Sequence, residues 1–270
     1  MERLFKTIKL ILSIVMVLFS VAIILPVFIC DRFSVKGTSM SPTYSSGEHI
    51  WVNKLCMGPR IYTNYDFDSP ELKAFRLPGF RKLEVGDVAV FNVPYGRDRE
   101  KIEFRINYVY AKRCLGCPGD TVGISDCMFY NTKTDTPIGY LPNQHLLKQT
   151  PDSLIPDYAL AAYPYSYDFN WTIKELGPLV VPYKGMKVSL DYKTTLLYSH
   201  AIEYETGFKP QWNAGMCYID ETCYSDYQFR KDYYYFIGDN VLDSKDSRYL
   251  GFVPEDYIIG KVVNVKSYSL

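Results

Sequence analysis

The sequence predicts a mostly β protein that is held to a membrane by one N-terminal helix. Residues 10–30 form an uncharged run of 21 residues in a chain of 270, and a helix of that length spans a hydrocarbon core about 30 Å thick. Beyond this run, β-branched and aromatic segments alternate with Gly, Asp and Pro turns, and helical periodicity is weak. We therefore expect a transmembrane helix followed by a β domain.

The flanks of the apolar run indicate a retained anchor and its orientation. A cleaved secretory signal has a shorter apolar region and ends in small residues. Here bulky side chains precede Cys30, which also argues against a lipoprotein cysteine, and Arg3, Lys6 and Lys9 precede the run. By the positive-inside rule, residues 1–9 stay in the cytoplasm and the chain beyond the span lies on the outer side.

The composition narrows the class of protein. Thirty basic residues balance thirty acidic ones, which argues against nucleic acid as a partner because phosphate binding needs concentrated positive charge. The three histidines, His49, His145 and His200, leave little material for a metal centre, and none lies in the nucleophile-elbow context of a Ser-His-Asp hydrolase. We expect no metal and no cofactor.

Several external segments are predicted to be strands because β-forming residues are bounded there by turn residues. They are residues 47–55, 86–94, 103–115 and 257–268.

The middle of the chain has a different composition. Prolines and tyrosines cluster there, and residues 184–191 and 196–205 are compatible with further strands or one short helix. Cys217 and Cys223 are the pair best suited to a disulfide in an oxidising compartment. We interpret the middle block as an inserted, β-rich cap. The expected division is a core formed by 31–120 and 233–270, interrupted by the cap at 121–232.

Three segments contain the polar residues of a candidate catalytic site. Residues 35–43 read VKGTSMSPT, residues 110–120 read YAKRCLGCPGD, and residues 238–254 read GDNVLDSKDSRYLGFVP. Each segment alone is weak evidence for a catalytic site, since a serine among Gly, Thr and Pro, for example, is usually part of a loop. In this order and behind an N-terminal anchor, they resemble type I signal peptidases, the Ser/Lys proteases that cut signal peptides from exported proteins. The resemblance implies a Ser/Lys protease β core.

The resemblance implies that Ser39 is the nucleophile and Lys112 the general base. A serine hydroxyl is a poor nucleophile unless a neighbouring base takes its proton. A free lysine has a pKa of about 10.4 and is almost fully protonated at neutral pH. Burial that lowers the pKa to about 8 would make the lysine a useful base. Strand alternation then places Arg113 on the opposite face.

The resemblance assigns supporting roles to the third segment. Ser244 would hydrogen-bond and orient the lysine, and Asp246 and Arg248 would form an ion pair that braces the loop. Val241 and Leu242 depart from the Arg-Asp often found in the family, which puts the charge network of this loop in question. The motif residues that precede them are Gly238, Asp239 and Asn240.

The resemblance also implies where the oxyanion and the substrate bind. The N–H of Ser39 would stabilise the tetrahedral oxyanion, and Gly37 stands where some members have a hydroxyl side chain. The signal peptide would bind extended along a strand edge, with small residues in two shallow pockets. The residues expected around those pockets are Val35, Met40, Tyr110 and Ala111.

The implied partners are signal-peptide-bearing preproteins, the lipid bilayer and the export translocon, at the outer face of a bacterial cytoplasmic membrane. Two alternatives stay open. One is a dedicated Ser/Lys peptidase for a single precursor, and the other is a catalytically silent, membrane-anchored binding or assembly protein on the same fold. A relative of the self-cleaving SOS repressors is disfavoured, because those proteins carry a DNA-binding domain instead of an anchor.

Overall fold

The computed structural model describes residues 2–64, 66, 69–95 and 101–263. Its helices are α1 (Glu2–Ile24), α2 (Leu141–Gln149), α3 (Asp157–Leu160), α4 (Tyr192–Leu197), α5 (Ser199–Thr206) and α6 (Ser247–Leu250). Its strands are β1 (Cys30–Ser34), β2 (His49–Asn53), β3 (Arg60–Tyr62), β4 (Ala74–Arg76), β5 (Val88–Asn92), β6 (Val109–Gly116), β7 (Thr121–Ser125), β8 (Met128–Asn131), β9 (Leu176–Val180), β10 (Lys187–Ser189), β11 (Gln211–Asn213), β12 (Met216–Ile219), β13 (Thr222–Tyr224), β14 (Asp226–Gln228), β15 (Tyr233–Ile237), β16 (Val253–Pro254) and β17 (Ile258–Val262).

The N-terminal helix runs directly into the first strand. A π-helical turn, Leu25–Ile29, continues α1, and β1 begins at Cys30. Pro26 lies in this turn, where its missing N–H removes one hydrogen bond from the helical ladder. The whole helical run, Glu2–Ile29, is long and apolar enough to cross a membrane. The predicted span of 10–30 lies within it except for its last residue.

Lys54 fixes the end of this helical run to the β domain. Its ammonium donates to the carbonyl of Pro26 at 2.6 Å and pairs with Asp31 at 2.9 Å. The backbone N–H of Lys54 also donates to the carbonyl of Ile29 at 2.8 Å, and β1 pairs with β2 from its first residue. No free linker therefore separates the helical run from the domain.

A seven-stranded antiparallel sheet forms the centre of the described structure, in the order β1-β2-β17-β5-β6-β15-β16. Strand β2 shows the alternation of a half-buried strand, with Ile50 and Val52 buried and Trp51 exposed. Strand β17 lies between β2 and β5. The sheet is therefore complete only when the last part of the chain has paired with the first.

Two of the predicted strands are confirmed and a third in part. The segment 47–55 contains β2 and the segment 86–94 contains β5. The segment 257–268 contains β17, which begins at Ile258, and its residues 264–268 lie outside the described part of the chain.

The prediction of a strand over 103–115 is wrong in its first half, since β6 begins at Val109. Phe104 is buried in the core instead of pairing in the sheet. The side-chain amide of Asn92 donates to the carbonyls of Arg105 and Ile106 at 3.1 and 3.0 Å. Because a side chain satisfies this backbone, the apolar residues there can pack on the sheet without joining it.

Between β6 and β15 the chain builds three smaller sheets, β8-β7-β9, β10-β14 and β11-β12-β13, together with helices α2 to α5. The segment 196–205 is helical, and the segment 184–191 contains the short strand β10. A capping box starts α4: the Asp191 carboxylate accepts from the Thr194 N–H at 2.7 Å, and the Thr194 hydroxyl accepts from the Asp191 N–H at 2.9 Å.

Buried apolar clusters join these parts. One cluster combines Leu115 and Tyr235 of the central sheet with Leu179 and Ile202 of the middle block, so the block packs on the sheet. Another cluster lies beneath the loop that follows β1 and supports the candidate site. Its members are Val35, Met40, Tyr44, Ile50, Val52, Val88, Val90 and Val262.

Cys217 and Cys223, the pair best suited to a disulfide by sequence, do not form one in this structure. In the β12–β13 hairpin, Cys217 is opposite Tyr224 and Cys223 is opposite Tyr218. Since neighbouring positions along a strand point to opposite faces, the two thiols point away from each other. Cys217 is buried, Cys223 is exposed, and both are free thiols.

Candidate active site

Ser39 lies in a compact loop that follows β1. The N–H of Val35 donates to the carbonyl of Glu48 at 2.8 Å, which closes the base of the loop. Met40, the next residue after the serine, is 1% exposed and packs into the cluster beneath. Because both flanks are fixed, the half-buried Ser39 side chain is held in place beside β6.

Lys112 of β6 reaches this serine. It is 2% exposed, and its Nζ is hydrogen-bonded to Ser39 Oγ. Burial lowers the pKa of Lys112 to about 8; the Asp246 carboxylate opposes this shift and the Arg248 guanidinium adds to it. The Nζ also lies 4.9 Å from the centre of the Tyr110 ring. An amine with this pKa is uncharged in an appreciable fraction at neutral pH.

Arg113 points away from Lys112 and binds Asp239. Its Nε and Nη2 donate to the two carboxylate oxygens at 2.8 and 2.5 Å, and its Nη1 donates to the carbonyl of Gly86 at 2.8 Å. The Thr43 hydroxyl also donates to Asp239, which is fully buried. Arg113 and Thr43 were not predicted as site residues. Strand alternation, which places Arg113 opposite Lys112, is a signal that could have identified Arg113.

Asp246 and Arg248 form a fully buried, bidentate ion pair. Arg248 Nε and Nη2 lie 2.9 Å from Asp246 Oδ1 and Oδ2. Burial alone would raise the pKa of Asp246, but the charge and hydrogen bonds of Arg248, with those of Ser244 and Gly238, keep it lowered. The Ser244 hydroxyl donates to Asp246 at 2.7 Å. The expected bond from Ser244 to Lys112 is therefore replaced in this structure by one to the carboxylate.

Gly238 lies where the loop that contains Ser244 meets the loop that contains Ser39. A Cβ at this position would lie 2.1 Å from Ser244 Oγ and 2.6 Å from the carbonyl oxygen of Ser39. Both distances are far below van der Waals contact, so only glycine fits here. The Gly238 N–H also donates to Asp246 at 2.9 Å.

The loop that contains Asn240 holds the loop that contains the serine. The Asn240 N–H donates to the carbonyl of Ser39 at 3.0 Å, and its side-chain amide donates to the carbonyl of Thr38 at 3.2 Å. The hydroxyl of Thr38 in turn donates to the carboxylate of Asp243. These contacts set the position of Ser39 from the side opposite β1.

Val241 and Leu242 leave the charged contacts of this loop intact. Val241 is buried, and its carbonyl accepts from Arg248 Nη2 at 2.9 Å, whereas Leu242 is 43% exposed. The carboxylates of Asp239 and Asp246 each have an arginine partner. The departure from the family pattern therefore does not remove the charge network.

A residue of the middle block connects the two loops. The side-chain amide of Asn143, on α2, donates to the carbonyl of Ser41 at 3.2 Å and to the carbonyl of Asp239 at 2.8 Å. Ser41 lies two residues after Ser39. Asn143 was not predicted as a site residue, because it lies in the block that matched no motif and no local pattern distinguishes it.

A groove of about 730 Å³ opens beside Ser39 and Lys112. It follows an incompletely paired stretch of β6: β5 pairs with Val109–Arg113, whereas β15 pairs with β6 from Arg113 onward. Along 109–112, one edge of β6 is thus not paired with another described strand. The groove walls include Gly37 and the residues expected around the substrate pockets, Val35, Met40, Tyr110 and Ala111.

The histidines have other environments. The Nδ1 of His200 is hydrogen-bonded to the Tyr95 hydroxyl at 3.0 Å, and burial lowers the pKa of this histidine to about 4. His49 and His145 are exposed. Across the described residues, no three His, Cys, Asp or Glu side chains are grouped as a metal site requires.

Known proteins are similar to this chain over most of its length. The family model described as signal peptidase, peptidase S26, matches residues 5–266. Signal peptidase I of Buchnera aphidicola subsp. Baizongia pistaciae is 29% identical over 256 residues, which cover 90% of this chain and 71% of that protein. Signal peptidase I of Aquifex aeolicus is 25% identical over 236 residues, which cover 87% and 74%.

Proposed function

The chain belongs to the signal peptidase family, peptidase S26, and from this membership we propose that it is a serine endopeptidase that cuts signal peptides with a Ser39–Lys112 dyad. The observation that carries the proposal is the hydrogen bond between Lys112 Nζ and Ser39 Oγ. A buried lysine with a pKa of about 8 has the property that a general base in this position needs.

The first half-reaction forms an acyl-enzyme. Neutral Lys112 takes the proton of the Ser39 hydroxyl as Oγ bonds to the carbonyl carbon of the scissile peptide. The resulting ammonium then gives that proton to the leaving amine nitrogen as the C–N bond breaks. In the second half-reaction Lys112 takes a proton from water as the hydroxide bonds to the ester carbonyl carbon. The C–Oγ bond then breaks, the proton returns from Lys112 to Ser39 Oγ, and the peptide leaves with a new carboxyl group.

The oxyanion of each tetrahedral intermediate requires a fixed donor. We assign this role to the N–H of Ser39, in a loop held by Asn240 and supported by the Thr38–Asp243 contact. Gly37 has a φ of +85° and no atom near its missing side chain. It leaves that side of the oxyanion open, so backbone donation replaces the side-chain hydroxyl of other members.

The signal peptide is proposed to bind as an added strand in the groove. The edge of β6 along 109–112 offers main-chain groups for such pairing. Alternate side chains of an extended peptide then point into the apolar wall formed around Val35, Met40 and Ala111. That geometry suits small residues one and three positions before the cut.

The helical run Glu2–Ile29 and the family together support a membrane-anchored protein. We propose that residues 1–9 face the cytoplasm and that the catalytic domain lies on the outer face of a bacterial cytoplasmic membrane. There it would meet preproteins delivered by the export translocon.

Cleavage of an Ala-x-Ala signal-peptide substrate by the detergent-solubilised chain tests the proposal. We expect Ser39→Ala and Lys112→Ala each to abolish cleavage, while circular dichroism stays that of the folded protein. Lys209→Ala is the matched control, because Lys209 is an exposed lysine outside the groove, and it should cleave at the rate of the unaltered chain. Full activity of Lys112→Ala would refute the dyad.

The two alternatives predict different results in the same assay. A dedicated peptidase would cut its own precursor and leave general substrates intact, and that activity would still require Ser39. A silent binding protein would cut neither, and Ser39→Ala would bind preproteins as the unaltered chain does.

A further inference from the structure

The substrate groove has an excess of positive charge at its rim. The basic residues that line it besides Lys112 are Arg32, Lys36 and Lys245, and among the described lining residues the acidic one is Asp243. Lys36 and Lys245 are exposed and form no ion pair with any described residue. Their charges are therefore available to a bound peptide.

Both lysines line the groove and are close in sequence to residues of the candidate site. Lys36 precedes Ser39 by three residues, and Lys245 directly follows Ser244. The hydrogen bond between the Thr38 hydroxyl and the Asp243 carboxylate joins the two segments that carry them. Arg32 lies on β1, next to the membrane-spanning run, where phosphate headgroups are an alternative partner. Lys36 and Lys245 are therefore the residues whose charges a bound peptide would meet.

From this arrangement we infer that Lys36 and Lys245 make the enzyme select signal peptides with a carboxylate side chain close to the scissile bond. The inference rests on the proposed peptidase function and adds to it a preference between substrates. An acidic side chain in the groove gains a favourable interaction, and a basic one meets like charge. Exposed pairs are individually weak, so we expect about a threefold effect for each lysine.

Substrates that differ at one position measure this preference. The full-length protein in a non-ionic detergent is given Ala-x-Ala peptides with Asp, Asn or Lys at each of the positions flanking the cut in turn. At one or more positions we expect kcat/KM to fall in the order Asp, Asn, Lys, with about a tenfold range at low salt that narrows at about 0.5 M salt through screening. Equal rates for Asp and Lys peptides at every position would overturn the inference.

Charge-removing variants identify the groups responsible. The Lys36→Gln, Lys245→Gln double variant should lower the Asp-to-Lys ratio of kcat/KM by about tenfold, and each single variant by about threefold. Lys209→Gln removes an equal charge outside the groove and should leave the ratio unchanged. A ratio unaltered in the double variant would show that other groups set the preference and would refute the assignment.

A binding measurement separates this inference from the proposed function. Fluorescence anisotropy with labelled Asp and Lys peptides is recorded on the inactive Ser39→Ala chain. Tighter binding of the Asp peptide, reduced by the double variant, supports the charged rim even if no peptide is cut by the unaltered chain. Equal binding of both peptides would refute the selection of acidic peptides by Lys36 and Lys245. Cleavage of the neutral peptide by the unaltered chain would still support the proposed peptidase function.

Discussion

The protonated form of the buried Lys112 destabilises the fold, and burial thereby favours the neutral form that the proposed mechanism needs. A pKa of about 8 instead of 10.5 means that the folded protein holds the ammonium less well than the unfolded chain does. A shift of about 2.5 units corresponds to about 3 kcal/mol in the free energy of unfolding when the lysine is protonated. The same shift gives the neutral amine that can take the proton of Ser39.

The rate of cleavage should therefore depend on pH through this lysine. Because the neutral amine is the active form, kcat/KM should rise as the pH increases from 6 and reach half of its maximum near pH 8. Initial rates with an uncharged signal-peptide substrate over pH 6 to 10 measure the profile. A profile that is flat across pH 7 to 9 would contradict a base with the pKa of Lys112.

Replacing the lysine by an apolar residue should stabilise the protein. We expect Lys112→Met to be inactive and to raise the free energy of unfolding at pH 7 by about 1–3 kcal/mol, less than the whole burial cost because the bond to Ser39 is lost. The difference in the free energy of unfolding between the variant and the unaltered protein should shrink between pH 8 and pH 10.5. In that range the unfolded chain binds more protons than the folded one, so the unaltered protein gains stability as the pH rises.

Urea unfolding at pH 7 and at pH 10 measures this difference, with Lys209→Met as the exposed control. A Lys112→Met protein that is less stable than the parent at pH 7 would contradict the claim that the buried ammonium of Lys112 destabilises the fold.

At the scale of elements, helix α2 connects the two loops of the candidate site, the one that contains Ser39 and the one that contains Asn240. Its Asn143 amide donates to carbonyls on both of them, Ser41 and Asp239. The middle block thus contributes to the geometry of the site without lining the groove. A small displacement of either loop would change the alignment of Ser39 with Lys112, to which reaction rates are sensitive.

Asn143→Ala should consequently lower kcat by about tenfold, with little change in KM, because two hydrogen bonds of about 1 kcal/mol each are lost away from the substrate. Gln149→Ala, an exposed position at the end of the same helix, should retain the parent kcat. Steady-state kinetics on both variants checks this. A rise in KM with kcat unchanged would place Asn143 in substrate binding instead.

At the scale of the whole molecule, the central sheet joins the chain's first strand, beside the membrane, to its last described strand. Strand β1 follows the helical run, and β17 lies between β2 and β5. The buried cluster that contains Leu115 and Ile202 attaches the middle block to the same sheet. We therefore expect the domain beyond the helix to lie on one side of the membrane as a unit.

Cys223 provides a test of that topology, since its thiol is exposed in the middle block. A membrane-impermeant maleimide applied to spheroplasts should label the full-length chain, and Cys223→Ser should remove most of the label. The thiols of Cys30 and Cys117 are less accessible. Labelling that requires permeabilised membranes would place the domain on the inner side.

Local patterns in the sequence were sufficient to predict much of this architecture. The apolar run and the strands β2 and β5 are local in sequence, and the family resemblance depends on three short segments taken in order. The family is confirmed. The strand predicted over 103–115 failed because β-forming residues such as Phe104 can be buried by packing as well as by pairing. A count of β-forming residues does not separate these two outcomes.

Contacts between distant segments were beyond the reach of such patterns. The spacing of Cys217 and Cys223 suggested a disulfide, but the register of a hairpin decides which faces two residues occupy. Asn143 and Thr43 act on residues about 100 and 200 positions away. Their roles follow from the tertiary packing of the loops, which no local periodicity encodes.

The close attachment of helix to domain by Lys54 has a consequence for what the enzyme can reach. Ser39 follows Cys30, the first residue of β1, by nine positions, and β1 is paired from its start. With the helical run in a bilayer, we therefore expect Ser39 to stay at a nearly constant height above the lipid surface. A peptidase site held in this way would select peptide bonds by their distance from the bilayer as well as by the side chains beside them.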